Sequence, residues 1–343
     1  MIITWFMLKG GIIMKRKVSL ILVLTVILLT ACNTNNLAEY KKAAEKTDQI
    51  IRGQTTGEFS LITEFDREGL TPEEIRELNY IKDMSGSFNV VYDDEEERSI
   101  IRNYLNFGGL GYDFEVYIDG EEIFMKLPVV GKYIKIDDMS SLSDEMYHTE
   151  DEIVSEDTIA EFSKKWISLM NEEDVFKGKD IVVTTPDGEV KTKEYVIKLN
   201  DEQIKILLKD SVEIFSKDND LKKLYEENIR TMAEPLKDKT FEELLLDIKN
   251  NTDKYYVENF TFTAYVDIDG YIVNQIIEVF LKAKDVDKGG VESFRYSLNI
   301  KNWDINKKQS FDFPVLTDEN TMNIEDMDGD MPASMKDFFG NKN

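Results

Sequence analysis

Phe260-Thr261-Phe262-Thr263-Ala264-Tyr265-Val266-Asp267-Ile268, then Asp269-Gly270, then Tyr271-Ile272-Val273-Asn274-Gln275-Ile276-Ile277-Glu278-Val279-Phe280-Leu281, is the stretch that decides the fold class. Phe260, Phe262, Ala264, Val266 and Ile268 recur at every second position. Tyr271, Val273, Gln275, Ile277, Val279 and Leu281 do so on the way back. A period of two places one set of side chains on one face of a strand. Asp-Gly between two such runs is a hairpin turn, because both residues tolerate the positive φ that a tight turn demands.

The same design stands earlier in the chain. Tyr112, Phe114, Val116 and Ile118 alternate up to Asp119-Gly120, and Ile123, Met125 and Leu127 alternate back. Phe59, Leu61, Thr63 and Phe65 form one more buried face, and Phe88, Val90 and Tyr92 another. Asp93-Asp94-Glu95-Glu96-Glu97 reads as an exposed loop, since like charges repel packing. Residues 85–137 are therefore almost all strand, an antiparallel meander. Further on, 181–183 and 195–197 flank Pro186-Asp187-Gly188 as another hairpin. Residues 291–303 continue the last sheet, with Phe311-Asp312-Phe313-Pro314 as an edge strand.

Helices interrupt these strands. Leu37, Tyr40, Ala44 and Ile51 are near helical spacing. Thr71-Pro72-Glu73-Glu74 is a helix start with Thr as N-cap and Pro at N1. Ser155 caps a helix carrying Ile159, Phe162, Trp166 and Met170. Asn200 with Gln203, and Thr240 with Glu243, are capping boxes. Leu221, Leu224, Tyr225, Ile229 and Met232 make a helical face broken near Pro235. The order is α+β, a curved antiparallel sheet with helices. One continuous fold is expected over 37–317, either undivided or as two related halves, since 138–151 is the one polar stretch suited to a boundary. Residues 318–343 read as an acidic, loosely held tail.

The beginning of the chain tells where it works. Lys15-Arg16-Lys17 precedes an apolar run from Val18 to Leu29, and Leu29-Thr30-Ala31-Cys32 ends it. Charge, apolar run and small residues before a cleavage point make a secretory signal. With cysteine directly after, the segment resembles a bacterial lipoprotein signal and its lipobox. The resemblance implies cleavage between Ala31 and Cys32 and diacylglycerol on Cys32, the single cysteine of the chain. Residues 33–36 would be the tether. Two acyl chains hold a protein stably where one does not. Met14 is the expected start: Lys9-Gly10-Gly11 can be a translated ribosome-binding site. A genuine longer signal is the alternative.

Composition excludes several classes. Cleavage removes Lys9, Lys15, Arg16 and Lys17 and no acid, taking 42 basic residues to 38 against 68 acids and the formal charge from −26 to −30. So acidic a chain is repelled by phosphates, so no nucleic-acid partner is expected. Membrane attachment should come from the lipid on Cys32. Without a pair of cysteines the fold must stand on its own core, which 42% apolar residues can supply. His148, the one histidine, lies in a polar loop and reads as solvated. Asp326-Met327-Asp328-Gly329-Asp330 departs from calcium loops, because its glycine precedes the third acid, so no metal is expected there. No cofactor motif or nucleophile motif is present, and the chain is expected not to be an enzyme.

Tyr117-Ile118-Asp119-Gly120 through Met125-Lys126-Leu127, then Lys132-Tyr133-Ile134-Lys135-Ile136, is similar to strand pairs of the LolA-like and LppX/LprG-like lipoproteins. The likeness extends diffusely over 37–316. It implies an open half-barrel with helices packed on its concave face, holding acyl chains or another apolar molecule. The acidic insertion at 138–156 and the helical segment 221–232 depart from that pattern. Candidate ligand-binding residues are Phe114, Val116, Ile123 and Met125 in the first half, and Phe262, Ala264, Ile277 and Val279 in the second. Alternation alone leaves either face open as the cavity. The expected function is a lipid-anchored protein on the outer face of a bacterial cell of Gram-positive type, binding a lipid or other hydrophobic ligand. The alternative is a structural or regulatory lipoprotein that binds an envelope protein through a packed sheet.

Overall fold

The computed structural model describes residues 35–120, 122–126, 131–135, 155–226, 230, 238–286 and 288–322. The start at Met14, Ala31, Cys32, Leu127, His148, Ile229, Met232, Pro235 and the acids at 326–330 lie outside them.

Six α-helices and twelve strands make up the described chain. Helix α1 (Asn36–Asp48) leads into β1 (Arg52–Phe65), and α2 (Pro72–Lys82) into β2 (Asp83–Asp93). Then follow β3 (Arg98–Phe107), β4 (Leu110–Asp119), β5 (Glu122–Lys126) and β6 (Tyr133–Lys135). Helix α3 (Glu156–Ser168) precedes the hairpin of β7 (Val175–Thr185) and β8 (Gly188–Ile197), and α4 (Asp201–Phe215), α5 (Asn219–Leu224) and α6 (Phe241–Asn251) come after it. The chain ends in β9 (Tyr255–Asp267), β10 (Ile272–Ala283), β11 (Val291–Trp303) and β12 (Thr321–Met322).

The caps read from sequence hold these helices. Thr71, Asn200 and Thr240 each accept from the third backbone N–H while Glu74, Gln203 and Glu243 reach back, completing capping boxes. Ser155 accepts from Thr158 N–H at 3.2 Å. Each such cap contributes about 1 kcal/mol.

All strands join one open sheet in the order β12-β6-β5-β4-β3-β2-β1-β11-β10-β9-β8-β7. Every neighbour is antiparallel except β12 on β6. Gly120 and Gly270 take positive φ at the two Asp-Gly turns, +61° and +89°. The sheet coils strongly at one end. Three strands separate β7 from β11, four spacings or about 19 Å in a flat sheet. Yet Lys301 Nζ donates to the Thr184 carbonyl at 2.9 Å, and Asp187 in the β7–β8 turn meets Lys307 at 3.4 Å.

The core sits on one face in two clusters. Under β7–β10, Leu37, Tyr40 and Ala44 of α1, Trp166 of α3 and Ile204 of α4 pack on Tyr195, Ile197, Phe262 and Ala264. Over β1–β6 and β11, Phe59, Phe88, Ile101, Phe114 and Ile300 pack together, with no helical residue among them. On the opposite face Phe311, Phe313 and Leu316 cover Ile100, Tyr117 and Phe124.

Several expectations need correction. Ile51 is outside α1 and 41% exposed, because the helix ends at Asp48. Asp93 does not belong to an exposed loop: it is 1% exposed, its Oδ1 accepts from Glu95 and Glu96 N–H at 3.2 Å, and Arg52 pairs with its Oδ2 at 3.4 Å. Ile268 is 95% exposed, since it stands in the turn rather than on β9. A bulge between Ile272 and Asn274 brings Ile272 into the helix-covered cluster, while Val273 is also buried and Tyr271 packs against the other cluster. Residues 311–314 form no strand; they strap the opposite face by apolar packing. The sheet also takes in 321–322, beyond the expected boundary at 317.

At the sheet's centre two glycines lie beneath rings. Gly57 is opposite Phe88 and Gly86 opposite Phe59 in the β1–β2 ladder. A Cβ on Gly57 would lie 2.2 Å from the Phe88 ring, and one on Gly86 2.5 Å from the Phe59 ring. Aromatic side chains folded over strand glycines cover exposed backbone and permit coiling. Gly57→Ala should therefore destabilise the protein by about 1–3 kcal/mol through overpacking, read as a lower urea midpoint at unchanged slope.

Candidate functional site

Cross-strand partners point to the same side of a sheet, so the register fixes which side chains share a face. One row runs Ala264–Gln275–Ile300–Gly57–Phe88–Asn103–Phe114. The next toward the β4–β5 turn runs Thr55–Val90–Ile101–Val116–Met125–Ile134, followed by Ile118 opposite Ile123. On the other side stand Phe262–Ile277–Leu298–Phe59, then Phe260–Val279–Tyr296. All eight candidate residues thus lie on one apolar face, which alternation could not decide.

They do not form one site. Phe262 is 1% exposed and Ala264 fully buried, both beneath the helices. The Phe262 ring meets Tyr40 edge-on at 5.9 Å and Trp166 at 6.4 Å between centroids. Phe114, Val116 and Ile123 are buried in the helix-free cluster, with Met125 half-buried at its margin. Ile277 touches both clusters, and Val279 is half-buried outside them. The site suggested by this face is the β1–β6 half alone, floored by rings lying flat over Gly57 and Gly86.

Polar groups that sequence reading passed over share this face. Gln275 Nε2, both side-chain atoms of Asn103, Ser99 Oγ and Tyr296 Oη are buried and make no hydrogen bond among the described residues. Each unpaired buried polar group costs about 1–3 kcal/mol, which makes water or a ligand's polar atoms their natural complement. Burial pushes the Tyr296 hydroxyl well above the usual phenol range, so it stays a neutral donor. The alternation of β11 gave a signal for Tyr296, Leu298 and Ile300; nothing in the sequence distinguished Asn103.

At the end of the same face, past Tyr92, Asp94 extends β2. Its N–H donates to the Ile51 carbonyl at 2.8 Å, while its Oδ1 is buried without a partner. Burial, and then the neighbouring Asp93 charge, push its carboxyl up to about 7. Arg52 is engaged by Asp93 and Glu95 instead. Among the described residues no group of three His, Cys, Asp or Glu side chains could hold a metal ion, and no helix is long and apolar enough to cross a membrane.

No protein-family model matches this chain, and no curated protein matches it. Among solved structures it is similar to a protein with a YmcC-like fold from Bacteroides fragilis, at 10% identity over 73% of this chain and 96% of that one, with a TM-score of 0.17. It is also similar to a porin-like protein from Bacteroides uniformis, at 7% identity over 73% and 97%, TM-score 0.20. A β-barrel-like protein from Brucella abortus matches at 9% identity over 74% and 100%, TM-score 0.19. At such TM-scores these likenesses carry no argument.

The raised Asp94 pKa has a stability consequence. A carboxyl bound more tightly to its proton in the folded state than in the unfolded one stabilises at low pH, and that contribution is lost as pH rises from near 4 to about 7. The Asp94→Asn variant should therefore melt a few degrees higher than the parent at pH 8, by less at pH 5, and equally at pH 3, below both pKa values, measured by calorimetry.

Proposed function

We propose that this chain is a non-enzymatic extracytoplasmic lipoprotein, held to a cell membrane by acyl chains on Cys32, which receives a lipid or other hydrophobic ligand on the β1–β6 half of its apolar face. The observation that carries the reading is the contrast between the halves of that face. Under β7–β10 the apolar side chains meet helices; over β1–β6 an equally apolar surface carries no described helix, and Asn103 and Ser99 on it are buried without a partner among the described residues. An apolar wall with a few oriented polar atoms is what a small hydrophobic ligand requires. The reading takes this half as the concave one and moves the cargo away from Phe262 and Ala264, whose space the α1 and α3 rings fill. Anchoring rests on the signal-like segment ending in Ala31-Cys32, and attachment through lipid suits a chain too acidic to bind anionic headgroups.

The packing of Phe262 and Ala264 favours a second reading. A sheet closed by helices on one side is a rigid platform, and the chain would then bind an envelope protein rather than a small molecule.

The full chain, produced in a bacterial host and purified from membranes, separates the two. Native mass spectrometry followed by solvent extraction should find lipid beyond the covalent acyl chains, at near-stoichiometric amounts. Met125→Glu should lose it and remain in the membrane fraction, because a half-buried position tolerates the charge. Phe262→Glu should fail to fold, since it places a carboxylate in closed packing. Cys32→Ala should move the protein to the soluble fraction. A chain that carries no lipid and takes up no hydrophobic fluorescent probe would sink the carrier reading and favour the protein partner.

A further inference from the structure

A groove of about 390 Å³ opens on the opposite face of the sheet, away from the apolar surface discussed above. Its walls are the outward side of β4–β6 and the strap 313–321, and its lining includes Asp119, Glu122, Phe124, Lys135, Phe313 and Asp318. We propose that this groove binds a cationic side chain of a basic peptide.

Three features carry the assignment. The first is an aromatic wall. Phe124 and Phe313 line the groove with ring centroids 6.4 Å apart; Tyr117, stacked on Phe124 at 5.0 Å, and Tyr133, edge-on to Phe124 at 6.1 Å, support these rings without lining it. Ring faces attract ammonium and guanidinium groups. The second is charge. Three carboxylates line the groove against the single lysine, and only Asp119 of the three is neutralised, by Arg98 at 2.7 Å. Glu122 and Asp318 are exposed and form no ion pair among the described residues. The third is that the protein already uses this chemistry at the groove's margin. The Arg98 guanidinium lies 5.8 Å from the Phe313 ring while bonding Asp119, and Lys126 lies 5.5 Å over Tyr133. A second cation would meet the same pairing of ring and carboxylate.

Size and surroundings select the ligand. The volume is at the small end of the pocket range of about 300–1,000 Å³, enough for one or two long side chains. The carboxylates and threonines at the rim disfavour an acyl chain, and a phosphate would be repelled. Val315, 82% exposed beside the groove, offers contact to an apolar residue next to the cation. A surface of net negative charge steers basic partners toward it. The proposal is independent of the lipid reading, since it uses the other face.

The test must separate this groove from attraction by the whole acidic chain. The full-length protein in detergent is titrated with a fluorescein-labelled tetra-arginine peptide at about 0.15 M salt, where exposed charges beyond about 8 Å are screened. Saturable one-to-one binding is expected. Glu122→Gln with Asp318→Asn should weaken it about tenfold, whereas Asp180→Asn with Glu189→Gln on the β7–β8 hairpin, an equal change of charge, should weaken it less than about twofold. Phe313→Leu keeps the strap's apolar anchor and removes the ring, and should cost about fivefold to tenfold. Circular dichroism checks that each variant is folded. Non-saturable binding, equal loss from both charge pairs, or unchanged affinity of Phe313→Leu would overturn the assignment.

Discussion

The ladder between β1 and β11 is the contact on which the remaining architecture depends. It runs from Gln54 opposite Trp303 to Phe65 opposite Val291, joining the first strand of the described chain to the last long one. Without it the sheet would be two pieces, β2–β6 continuing from β1 and β7–β10 continuing from β11. Closing a loop of roughly 240 residues costs about 5 kcal/mol beyond a constant. That cost is offset by a long run of paired backbone and by burial of Phe59, Leu298 and Ile300 on the apolar face. The two halves of the apolar face are continuous only because this ladder exists.

Helix α1 secures the joint from the other side. The bulge at Ile272 releases a backbone N–H from the ladder, and Thr47 Oγ accepts it at 2.8 Å while donating to the Ala43 carbonyl at 2.7 Å. Lys46 lies over the Tyr271 ring at 4.2 Å. A buried donor freed by a bulge would otherwise stay unpaired. The first helix is thus fixed to the last hairpin before β1 begins, which places β1 beside β11.

Much of this fold was legible because its strands alternate and its helices are capped. The Asp-Gly hairpins, the Pro186-Asp187-Gly188 hairpin and the caps at Thr71, Ser155, Asn200 and Thr240 follow from local chemistry that no tertiary contact overrides. The first part of β1 was not legible. Residues 52–57 read Arg-Gly-Gln-Thr-Thr-Gly, without apolar alternation, and become strand because β2 and β11 pair on either side of them and the Phe88 ring lies over Gly57. Ile268 misled for the reverse reason: it continues the period of β9, yet the turn has already begun. Asp93 misled because a run of acids looks solvated, although its first member caps the turn that follows. For the candidate site, alternation groups the residues of each strand by face and leaves open how the faces of different strands combine. Pairing decides that Phe114 and Phe262 point the same way; only the landing places of α1 and α3 decide that one is sealed beneath helices.

The polar residues on that shared face bear on why it is built as it is. Asn103 stands in a row otherwise made of Ala, Ile, Gly and Phe, with Gln275 its one polar neighbour in kind. Ser99 stands in the row of Ile118 and Ile123. For a core that only has to be stable, an apolar side chain of similar shape would do as well or better, because an unpaired buried amide forfeits its hydration and gains nothing. Where helices cover the face, Thr47 is engaged by Ala43 and Ile272 and the Tyr195 hydroxyl by Glu39 at 2.6 Å, while Tyr40 Oη and Trp166 Nε1 are buried without a partner among the described residues. Unpaired groups thus stand on both halves of the face, Asn103 and Ser99 among them where no described helix covers it. On the half without described helices, Asn103 and Ser99 are poor for stability alone and suited to a surface that completes its hydrogen bonds with something other than its own chain.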